Sequence, residues 1–370
     1  MPGNKDLHKA KDAKKDEFYT TRQDIEAELC HYESYFEGKT VYCNCDDPVS
    51  SEFWQFFRRN FKAYKLKRLI ATHYEPDDKN YAYFLDLSED TNGDGVVDWN
   101  NEPVVTQLPC NGDFRSQACI DLLKQADVVV TNPPFSLWRE YLAQLMEYKK
   151  DFIIIGNVNA VTYKEVFPYI MQNRLWMGVS IHSGDRKFYV PDNYPLNAAG
   201  CGVDEDGRRF IRVKGVRWFT NIDTVQRHEC LDLRGNYYTA ENYPRYDNYD
   251  AIEVSKTNDI PCDYSEVMGV PITFLDHYSP DQFEILGITL GNTVDYPMTR
   301  IYSNAIQHNK NGSTQGGSKV NTRASIVVSD KPANTVYYTA DATEGYILSI
   351  YPRILIQNKH PEPRRYPDED

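Results

Sequence analysis

The tetrapeptide Asn132-Pro-Pro-Phe135 is the segment of this sequence best suited to chemistry. Two prolines stiffen a turn, because each fixes its own φ and removes a backbone donor. The Asn132 side chain and the Pro133 carbonyl then remain as two outward acceptors, which suit an amino group whose lone pair must be made available. Phe135 adds a flat apolar face for a planar substrate. The candidate catalytic residues are therefore Asn132, Pro133, Pro134 and Phe135, and a plain strand-to-helix turn is the alternative.

The elements predicted around this turn favour chemistry over a plain connection. A run of β-branched residues, Val128–Thr131, leads into it, and a helical pattern at 138–148 follows. Further apolar strands are predicted at 40–45, 67–73 and 151–158, with helices between them. Nearly continuous apolar strands that alternate with helices indicate an α/β fold whose sheet is parallel and covered on both faces. In such a sheet, ligands bind beyond the carboxyl ends of the strands.

The 370 residues predict about two domains after a short arm. Residues 1–16 are rich in Lys and Asp and form the predicted N-terminal arm. Beyond about residue 200, short β-like segments alternate with polar loops, so a boundary is placed near 235. The stretch 309–322 contains three glycines and is predicted to be a flexible surface loop.

The net charge weighs against a nucleic-acid partner, and the hydropathy pattern argues against a membrane span and a signal peptide. The formal net charge of −13 argues against nucleic acid, although net charge averages over faces. No apolar run approaches the length of a membrane span, so no membrane partner is expected. The N-terminus lacks the apolar core of a signal peptide, and the predicted localisation is cytoplasmic.

The sequence resembles the adenine-specific DNA methyltransferases, whose hallmark is Asp/Asn-Pro-Pro-Tyr/Phe after the fourth strand of an AdoMet-binding domain. Segments 42–54, 268–276 and 351–356 are similar to the EcoRI-type branch, and the resemblance extends from about residue 15 to 358. It implies a Rossmann-like AdoMet-dependent methyltransferase fold, with a mixed, mostly parallel sheet and helices on both faces. A smaller, irregular α+β target-recognition region would follow. The implied domains are 17–235 for catalysis and 236–370 for DNA target recognition.

The resemblance implies S-adenosyl-L-methionine (AdoMet) as the cofactor. Asp113 would accept from the adenine amino group of AdoMet while Phe114 packs on its ring. The first AdoMet loop departs from the usual Gly-x-Gly pattern, because residues 43–48 contain no glycine. In that loop, Asp46 or Asp47 would hold the methionine amino group, or else cap the following helix. The implied cofactor-binding residues are Phe18, Tyr19, Thr20, Cys43, Asn44, Asp46, Asp47, Asp113, Phe114 and Asn132.

The implied substrate is an adenine in double-stranded DNA. Enzymes that modify a base extrude it from the stack into a pocket. Asn132 and the Pro133 carbonyl would bind the N6 hydrogens, Phe135 would stack on one face of the base, and Trp218 or Phe219 on the other. The predicted function is a site-specific DNA adenine N6-methyltransferase for restriction-modification or for protection of phage or host DNA. No metal is needed; a monomer is expected, and a cognate restriction endonuclease would fit as a partner.

Contact with the DNA backbone would have to come from local clusters of cations. The candidates are Arg208, Arg209, Arg212, Lys214 and Arg217, for which phosphate contact and a solvated face both remain open. A second cluster within 58–68 is interpreted as a solvated helix face.

Three other interpretations compete. Glutamine-modifying methyltransferases also use Asn-Pro-Pro-Tyr, so a protein glutamine amide is an alternative substrate. The loop at 90–102 imitates a calcium loop, although position 12 is Asn101 instead of Glu; a surface turn is favoured there. A DNA-binding protein that has lost catalysis is disfavoured by the intact Asn132 and Gly112-Asp-Phe114 motifs.

Overall fold

A computed structural model describes residues 18–45, 48–49, 51–75, 82–88, 103–192, 194–197, 200–291 and 295–363. The predicted arm at 1–16, Asp46, Asp47 and the whole loop at 90–102 lie outside the described residues. The chain divides into two compact units: unit 1 takes 1–160 and 175–224, and unit 2 takes 161–174 and 225–370. The sequence had placed one boundary near 235. Segment 161–174 joins unit 2 because its short helix packs against a strand there, a relation between distant segments that no local pattern reveals.

Unit 1 contains the predicted alternation of strands and helices. Its helices are α1 (Arg22–Leu29), α2 (Glu52–Asn60), α3 (Gln117–Gln125) and α4 (Trp138–Glu147), and a 3-10 helix, Cys30–Phe36, extends α1. Its strands are β1 (Tyr19–Thr20), β2 (Thr40–Cys43), β3 (Arg68–Thr72), β4 (Tyr83–Ser88), β5 (Val104–Gln107), β6 (Val128–Thr131), β7 (Asp151–Asn157), β8 (Trp176–Met177), β9 (Asp185–Tyr189), β10 (Gly202–Val203), β11 (Arg209–Lys214) and β12 (Val216–Thr220). A further 3-10 helix, Val158–Thr162, follows β7.

The helices of unit 1 begin at side chains that satisfy their first free N–H groups. Thr21 accepts from the Asp24 N–H at the start of α1, and Ser51 and Ser116 do the same for α2 and α3. Each of these side chains fixes the residue at which its helix begins.

Unit 1 is built on an eight-stranded sheet in the order β5-β4-β3-β2-β6-β7-β12-β8. The central strands β3, β2, β6 and β7 run parallel, whereas β4, β5, β12 and β8 pair antiparallel with their neighbours. The sheet is therefore mixed, with fewer parallel pairs than expected, because the short β3–β4 connection leaves no room for a crossover helix. Every residue of β2 and β6 is buried. Since alternate side chains point to opposite faces, both faces of the centre are covered.

A second sheet of unit 1 joins the N-terminal segment to the region around 210. Its order is β1-β9-β11-β10, and Tyr19 pairs with Tyr189, which in turn pairs with Phe210. The segment predicted to close over the cofactor and the strand that carries predicted DNA contacts thus belong to one sheet.

Unit 2 consists mainly of short strands. It holds β13 (Ile252–Glu253), β14 (Met268–Pro271), β15 (Phe283–Ile288), β16 (Ile306–His308), β17 (Thr314–Gly316), β18 (Ser325–Val328), β19 (Tyr337–Thr339), β20 (Tyr346–Ser349) and β21 (Arg353–Asn358). Its helix α5 (Phe167–Met171) is joined by 3-10 helices at Val225–His228, Thr257–Asp259, Ile272–His277 and Ser318–Thr322. The strands form two sheets, in the orders β13-β14-β21-β15 and β17-β16-β19-β20-β18.

Two expectations for unit 2 are wrong. The predicted flexible loop at 309–322 contains β17 and a 3-10 helix, because its turn is closed by local hydrogen bonds that its glycines did not reveal. Residues 345–356, which the sequence pattern predicts as one of the short β-like segments beyond residue 200, are instead split between β20 and β21 in different sheets. Within the described residues, no helix is long and apolar enough to cross a membrane.

Candidate active site

The Asn-Pro-Pro-Phe turn lies at the carboxyl end of β6, in the centre of the large sheet. Asn132 is the first residue after that strand and is 5% exposed. The Leu137 N–H closes the turn by donating to the Pro134 carbonyl at 3.0 Å. The Trp138 indole N–H, in the first residue of α4, donates to the Ile155 carbonyl of β7 at 2.9 Å. The turn is therefore held firmly between a central strand and the following helix.

In the part of the chain that the structure describes, the side-chain amide of Asn132 is hydrogen-bonded at its nitrogen but not at its oxygen. Its Nδ2 donates to the main-chain carbonyl of Phe18. Its Oδ1 is buried and has no hydrogen-bond partner among the described residues. Because a buried acceptor without a partner costs about 1–3 kcal/mol, such an atom calls for an explanation. A ligand that donates an N–H at this point would supply it.

Phe135 belongs to a cluster of rings that includes Phe18. The two rings meet edge to face, with centroids 5.9 Å apart, and Phe188 lies 6.4 Å from Phe135 in a similar geometry. Tyr194 meets Phe18 edge to face at 6.0 Å. Phe135 itself is half-buried, so part of its ring remains accessible.

The loop after β2 is tied to α4. Cys43 and Asn44 are buried, and the Asn44 Oδ1 accepts from the Tyr141 hydroxyl. Burial raises the pKa of Tyr141 well above its ordinary value, so this hydroxyl stays protonated and donates. The Tyr141 ring also meets Phe114 edge to face at 5.0 Å. Tyr141 thus joins two segments that the sequence assigned separately to the cofactor.

Gly112 brings the Asp113-Phe114 segment to the end of β3. Its φ is +80°, and a Cβ there would lie 2.0 Å from the His73 carbonyl oxygen. The Glu75 N–H donates to the Asn111 carbonyl at 2.9 Å beside it. Only glycine permits this close approach. Position 112, directly before the predicted cofactor-binding residues Asp113 and Phe114, therefore requires glycine for structural reasons.

Asp113 is held by Arg115. The Arg115 guanidinium donates to both carboxylate oxygens, at 2.9 and 2.7 Å, and its backbone N–H donates at 2.9 Å. These bonds hold the pKa of Asp113 below its usual range. The carboxylate is therefore ionised and oriented, and an acceptor of this kind suits an exocyclic amino group.

Four separate segments meet at one edge of the large sheet. The register pairs Tyr42 with Val129 and Cys43 with Ala71, so β2, β3 and β6 end side by side. Asn44 follows β2 and Asn132 follows β6. The segment Gly112-Asp-Phe114 lies against the residue after β3, and the Phe18 carbonyl accepts from Asn132. The hydroxyl oxygens of Thr20 and Thr131 are likewise buried without a partner among the described residues. An edge with several unsatisfied polar atoms suits a polar ligand that offers hydrogen-bond donors.

The structure removes Trp218 and Phe219 as candidates for base stacking. Both lie on β12 inside the sheet, 1% and 0% exposed. Trp218 packs on Phe53 and Phe219 on Trp138. A ring with no accessible face cannot stack on a base unless the core is repacked. The aromatic run in 216–220 is therefore a core strand.

The predicted DNA-backbone cations fall into different environments. Arg217 is buried, 4% exposed, and donates to the carbonyls of Val216 and His182, so it is a structural residue. Arg209 is half-buried and donates to the Tyr194 carbonyl at 2.7 Å.

The other three cations of that set are exposed. Arg208 pairs with Asp204 and Asp206, and Arg212 pairs with Asp185 at 3.2 Å. Lys214 is exposed and makes no ion pair in the described part of the chain. Of the predicted set, only these three exposed cations can reach a phosphate. Arg208 and Arg212 would first have to break their ion pairs with Asp side chains.

Sequence reasoning missed Tyr141 and Phe188. Tyr141 lies on the buried face of α4 with Trp138 and Leu145, and a buried hydroxyl in that stripe was the available signal. Phe188 contacts Phe135 only because β9 pairs with β1, and no local pattern reveals that pairing. In the described ranges, no group of three or more His, Cys, Asp or Glu could hold a metal ion.

The mixed α/β fold, with an Asn-Pro-Pro-Phe turn after a central strand, is consistent with a methyltransferase. The family described as "Adenine-specific methyltransferase EcoRI" matches residues 6–359. The chain belongs to that family, and the predicted family and enzyme class, an adenine-specific DNA methyltransferase, are confirmed.

Three relatives support this membership. Type II methyltransferase M.EcoRI of Escherichia coli is 47% identical over 297 residues, which cover 78% of this chain and 90% of that protein. Type II methyltransferase M.MpnI of Mycoplasma pneumoniae is 40% identical, with 76% and 84% covered. Type II methyltransferase M.MgeORF184P of Mycoplasma genitalium is 38% identical, with 76% and 85% covered. No solved structure matched significantly.

These names favour the adenine substrate over the glutamine amide considered above. Methyltransferases of this family use AdoMet in general. The loop at 90–102, for which calcium was considered, lies entirely outside the described residues.

Proposed function

We propose that this chain transfers a methyl group from AdoMet to N6 of an adenine extruded from double-stranded DNA, at the carboxyl end of β6. The observation that carries the proposal is the buried Oδ1 of Asn132, which has no partner among the described residues. An N6 hydrogen of adenine is the donor that would satisfy it. The strand order of the large sheet, with the site at the carboxyl edge of its parallel centre, supports a Rossmann-like arrangement.

The orientation of the Asn132 amide is fixed by its neighbour. A carbonyl can only accept, so the Phe18 carbonyl binds the Nδ2 end and turns Oδ1 toward the substrate. Oδ1 and the Pro133 carbonyl would accept the two N6 hydrogens. This keeps the nitrogen lone pair out of conjugation with the ring and makes it a better nucleophile. As the new N–C bond forms, the methyl carbon–sulfur bond would break to leave a neutral thioether. The cationic amino group would then lose one N6 proton to solvent, while the two acceptors keep it oriented.

AdoMet, when bound, supplies a methyl group already activated on a sulfonium, so the protein's task is to bind and align. Asp113 would accept from the adenine amino group of the cofactor, with Arg115 holding its carboxylate in place. Phe114 would pack on the cofactor ring. The Cys43-Asn44 segment would line the methionine side, together with Asp46 and Asp47, which lie outside the described residues.

The N-terminal segment would complete the site from the other side. Phe18 already contacts both Asn132 and Phe135, and β1 attaches Tyr19 and Thr20 to the second sheet. Phe135 would provide the stacking face for the base. Lys214, Arg208 and Arg212 are the exposed cations available for the DNA backbone.

A site-specific methyltransferase also needs a part that recognises sequence. We assign this to the region 236–370, within unit 2, and catalysis to 17–235. Methylation of one strand at a time requires no symmetric dimer, so the enzyme would act as a monomer. The biological role would be restriction-modification or protection of phage or host DNA, with a cognate endonuclease as the partner in the first case.

The test is incubation of the protein with radiolabelled AdoMet and unmethylated DNA. Nucleoside analysis should give N6-methyladenine, and methylation-aware sequencing should place it in one short motif. Label that appears only on protein would overturn the proposal in favour of a glutamine amide substrate. Label in DNA at cytosine would overturn the assignment of N6 as the target.

A further inference from the structure

Unit 2 presents an exposed hairpin that the catalytic site does not use. Strands β16 and β17 pair antiparallel, with Gln307 opposite Gln315, and β17 is the last strand of its sheet. Every residue from 310 to 316 is exposed. Because β16 also pairs with β19, the hairpin is the edge of a five-stranded sheet, and its outer strand has no neighbour within the described part of the chain.

The side chains of this ribbon are suited to base edges. Around its turn and along β17 they are amides, hydroxyls and one cation, namely Asn309, Lys310, Asn311, Ser313, Thr314 and Gln315. Amide and hydroxyl groups both donate and accept, as the edges of base pairs do. The Gln315 side chain makes no hydrogen bond within the described residues, so it is available to a ligand.

The local charge differs from that of the chain as a whole. Although the protein has a net charge of −13, no Asp or Glu occurs between Tyr296 and Ser329. Lys310 and Lys319 are exposed in this stretch and form no ion pair with any described residue. A segment that carries cations and no carboxylate favours contact with a polyanion, and the neighbouring acid Asp341 bonds to Asn304, outside the hairpin.

The turn of the hairpin is ordered by its own hydrogen bonds. The Asn309 N–H donates to the Ser313 carbonyl at 2.9 Å, and the Ser313 hydroxyl donates to the Asn311 Oδ1 at 2.7 Å. Gly317 closes the base by donating to the Ala305 carbonyl at 2.7 Å, and a Cβ there would lie 2.7 Å from that backbone. An ordered element loses little conformational freedom when it binds.

The inner strand is fastened to the sheet. The His308 ring stacks on Tyr337 with centroids 4.6 Å apart and planes 9° apart. The Tyr338 hydroxyl donates to the Gln307 Oε1 at 3.1 Å. These contacts hold the inner strand of the hairpin firmly against β19.

We propose that the β16–β17 hairpin enters the major groove of DNA and reads base edges there. The proposal rests on the proposed function and names the element that selects the sequence. The major groove is wide enough for a β-hairpin, here its exposed turn and the edge strand β17, and an amide side chain bonds in bidentate fashion to adenine. Gln315 is the base-reading residue. Lys310 contacts a phosphate and positions the ribbon, since phosphate contacts orient but do not specify.

The experiment uses full-length protein with Gln315→Ala, Lys310→Ala and the control Thr335→Ala, an exposed polar residue in the connection that leads into β19. Binding to cognate and non-cognate duplexes is measured over a range of salt concentrations. Gln315→Ala should weaken cognate binding about tenfold, leave non-cognate binding unchanged and relax the methylated motif at one position. Lys310→Ala should weaken both, with a salt slope reduced by about one. Thr335→Ala should match the wild type.

Two readouts separate this inference from the proposed function. AdoMet binding and thermal unfolding should be unchanged in every variant, since each altered side chain is exposed. If wild type methylates adenine in one motif and Gln315→Ala keeps the same motif and affinity, the hairpin assignment is wrong and the function stands. A change of oligomeric state in Gln315→Ala without a change in DNA binding would mean that the edge strand pairs two protein copies, which also overturns it. If wild type transfers no methyl group to DNA, the proposed function itself fails.

Discussion

Replacement of Asn132 by alanine should abolish methyl transfer without destabilising the protein. The substitution removes the Oδ1 acceptor proposed to bind an N6 hydrogen and the Nδ2 donor that binds the Phe18 carbonyl. Loss of one preorganised hydrogen bond that strengthens in the transition state lowers kcat by about 10²–10³. AdoMet should bind almost as before, because the cofactor's main predicted contacts lie on other segments.

The effect of Asn132→Ala on stability follows from two opposed changes. A buried acceptor without a partner costs about 1–3 kcal/mol, and Asn132→Ala removes that cost with the Oδ1 atom. The Phe18 carbonyl loses its donor, which costs about the same. The free energy of unfolding should therefore change by no more than about 1 kcal/mol. A purely structural asparagine would behave differently.

Asn248→Ala is the matched control. Asn248 is fully buried, and both ends of its amide are bonded: Oδ1 accepts from the Ser325 N–H and Nδ2 donates to the Arg323 carbonyl, each at 2.8 Å. This variant should lose about 2–4 kcal/mol in urea unfolding. Activity is followed by single-turnover methylation with AdoMet affinity from calorimetry. If Asn132→Ala is as unstable as Asn248→Ala, or methylates at the wild-type rate, the reasoning fails.

Three further predictions concern the groups around the site. Gly112→Ala should destabilise the protein by more than about 3 kcal/mol in urea unfolding, because a Cβ would lie 2.0 Å from the His73 carbonyl. The control is Gly38→Ala, where φ is +71° but a Cβ would meet no atom within 4 Å, and it should cost only about 1 kcal/mol. Equal losses in the two variants would contradict this prediction. Arg115→Gln should raise the pKa of Asp113 toward its ordinary value. As the pH is lowered, the AdoMet affinity measured by calorimetry should therefore begin to fall at a higher pH in this variant than in the wild type. Identical pH profiles would show that Asp113 does not bind the cofactor as an anion. Trp218→Ala should lower stability by about 3–5 kcal/mol, whereas Phe135→Ala should mainly raise the KM for DNA; a stable Trp218 variant with a raised KM would restore Trp218 as a base-stacking residue.

The sequence predicted what depends on local pattern. The β-branched residues of β6 marked the strand that leads to Asn132. The parallel centre of the sheet followed from the predicted alternation of strands and helices. The register that brings Asn44 beside Asn132 also follows once β2 and β6 are taken as parallel neighbours.

Long-range pairing lay beyond the sequence. Nothing near Phe188 indicates that β9 pairs with β1, and nothing near α5 indicates that it packs with unit 2. Trp218 shows the opposite error: an aromatic residue in the position expected for base stacking is instead a buried part of β12. Composition and resemblance indicate which residues are present near a site, but only the packing shows which of them have an accessible face.

The hydrogen bond from Asn132 to the Phe18 carbonyl has a consequence for evolution and for engineering. Adenine methyltransferases of the wider group carry either Asp or Asn at this position, yet an ionised carboxylate here would face a carbonyl oxygen with no donor between them. The chain path at Phe18 therefore selects asparagine at 132, although the two residues are 114 positions apart. A chimera that imports an Asp-Pro-Pro motif from a relative would need the relative's N-terminal segment as well. The two segments should be inherited, and transplanted, as a pair.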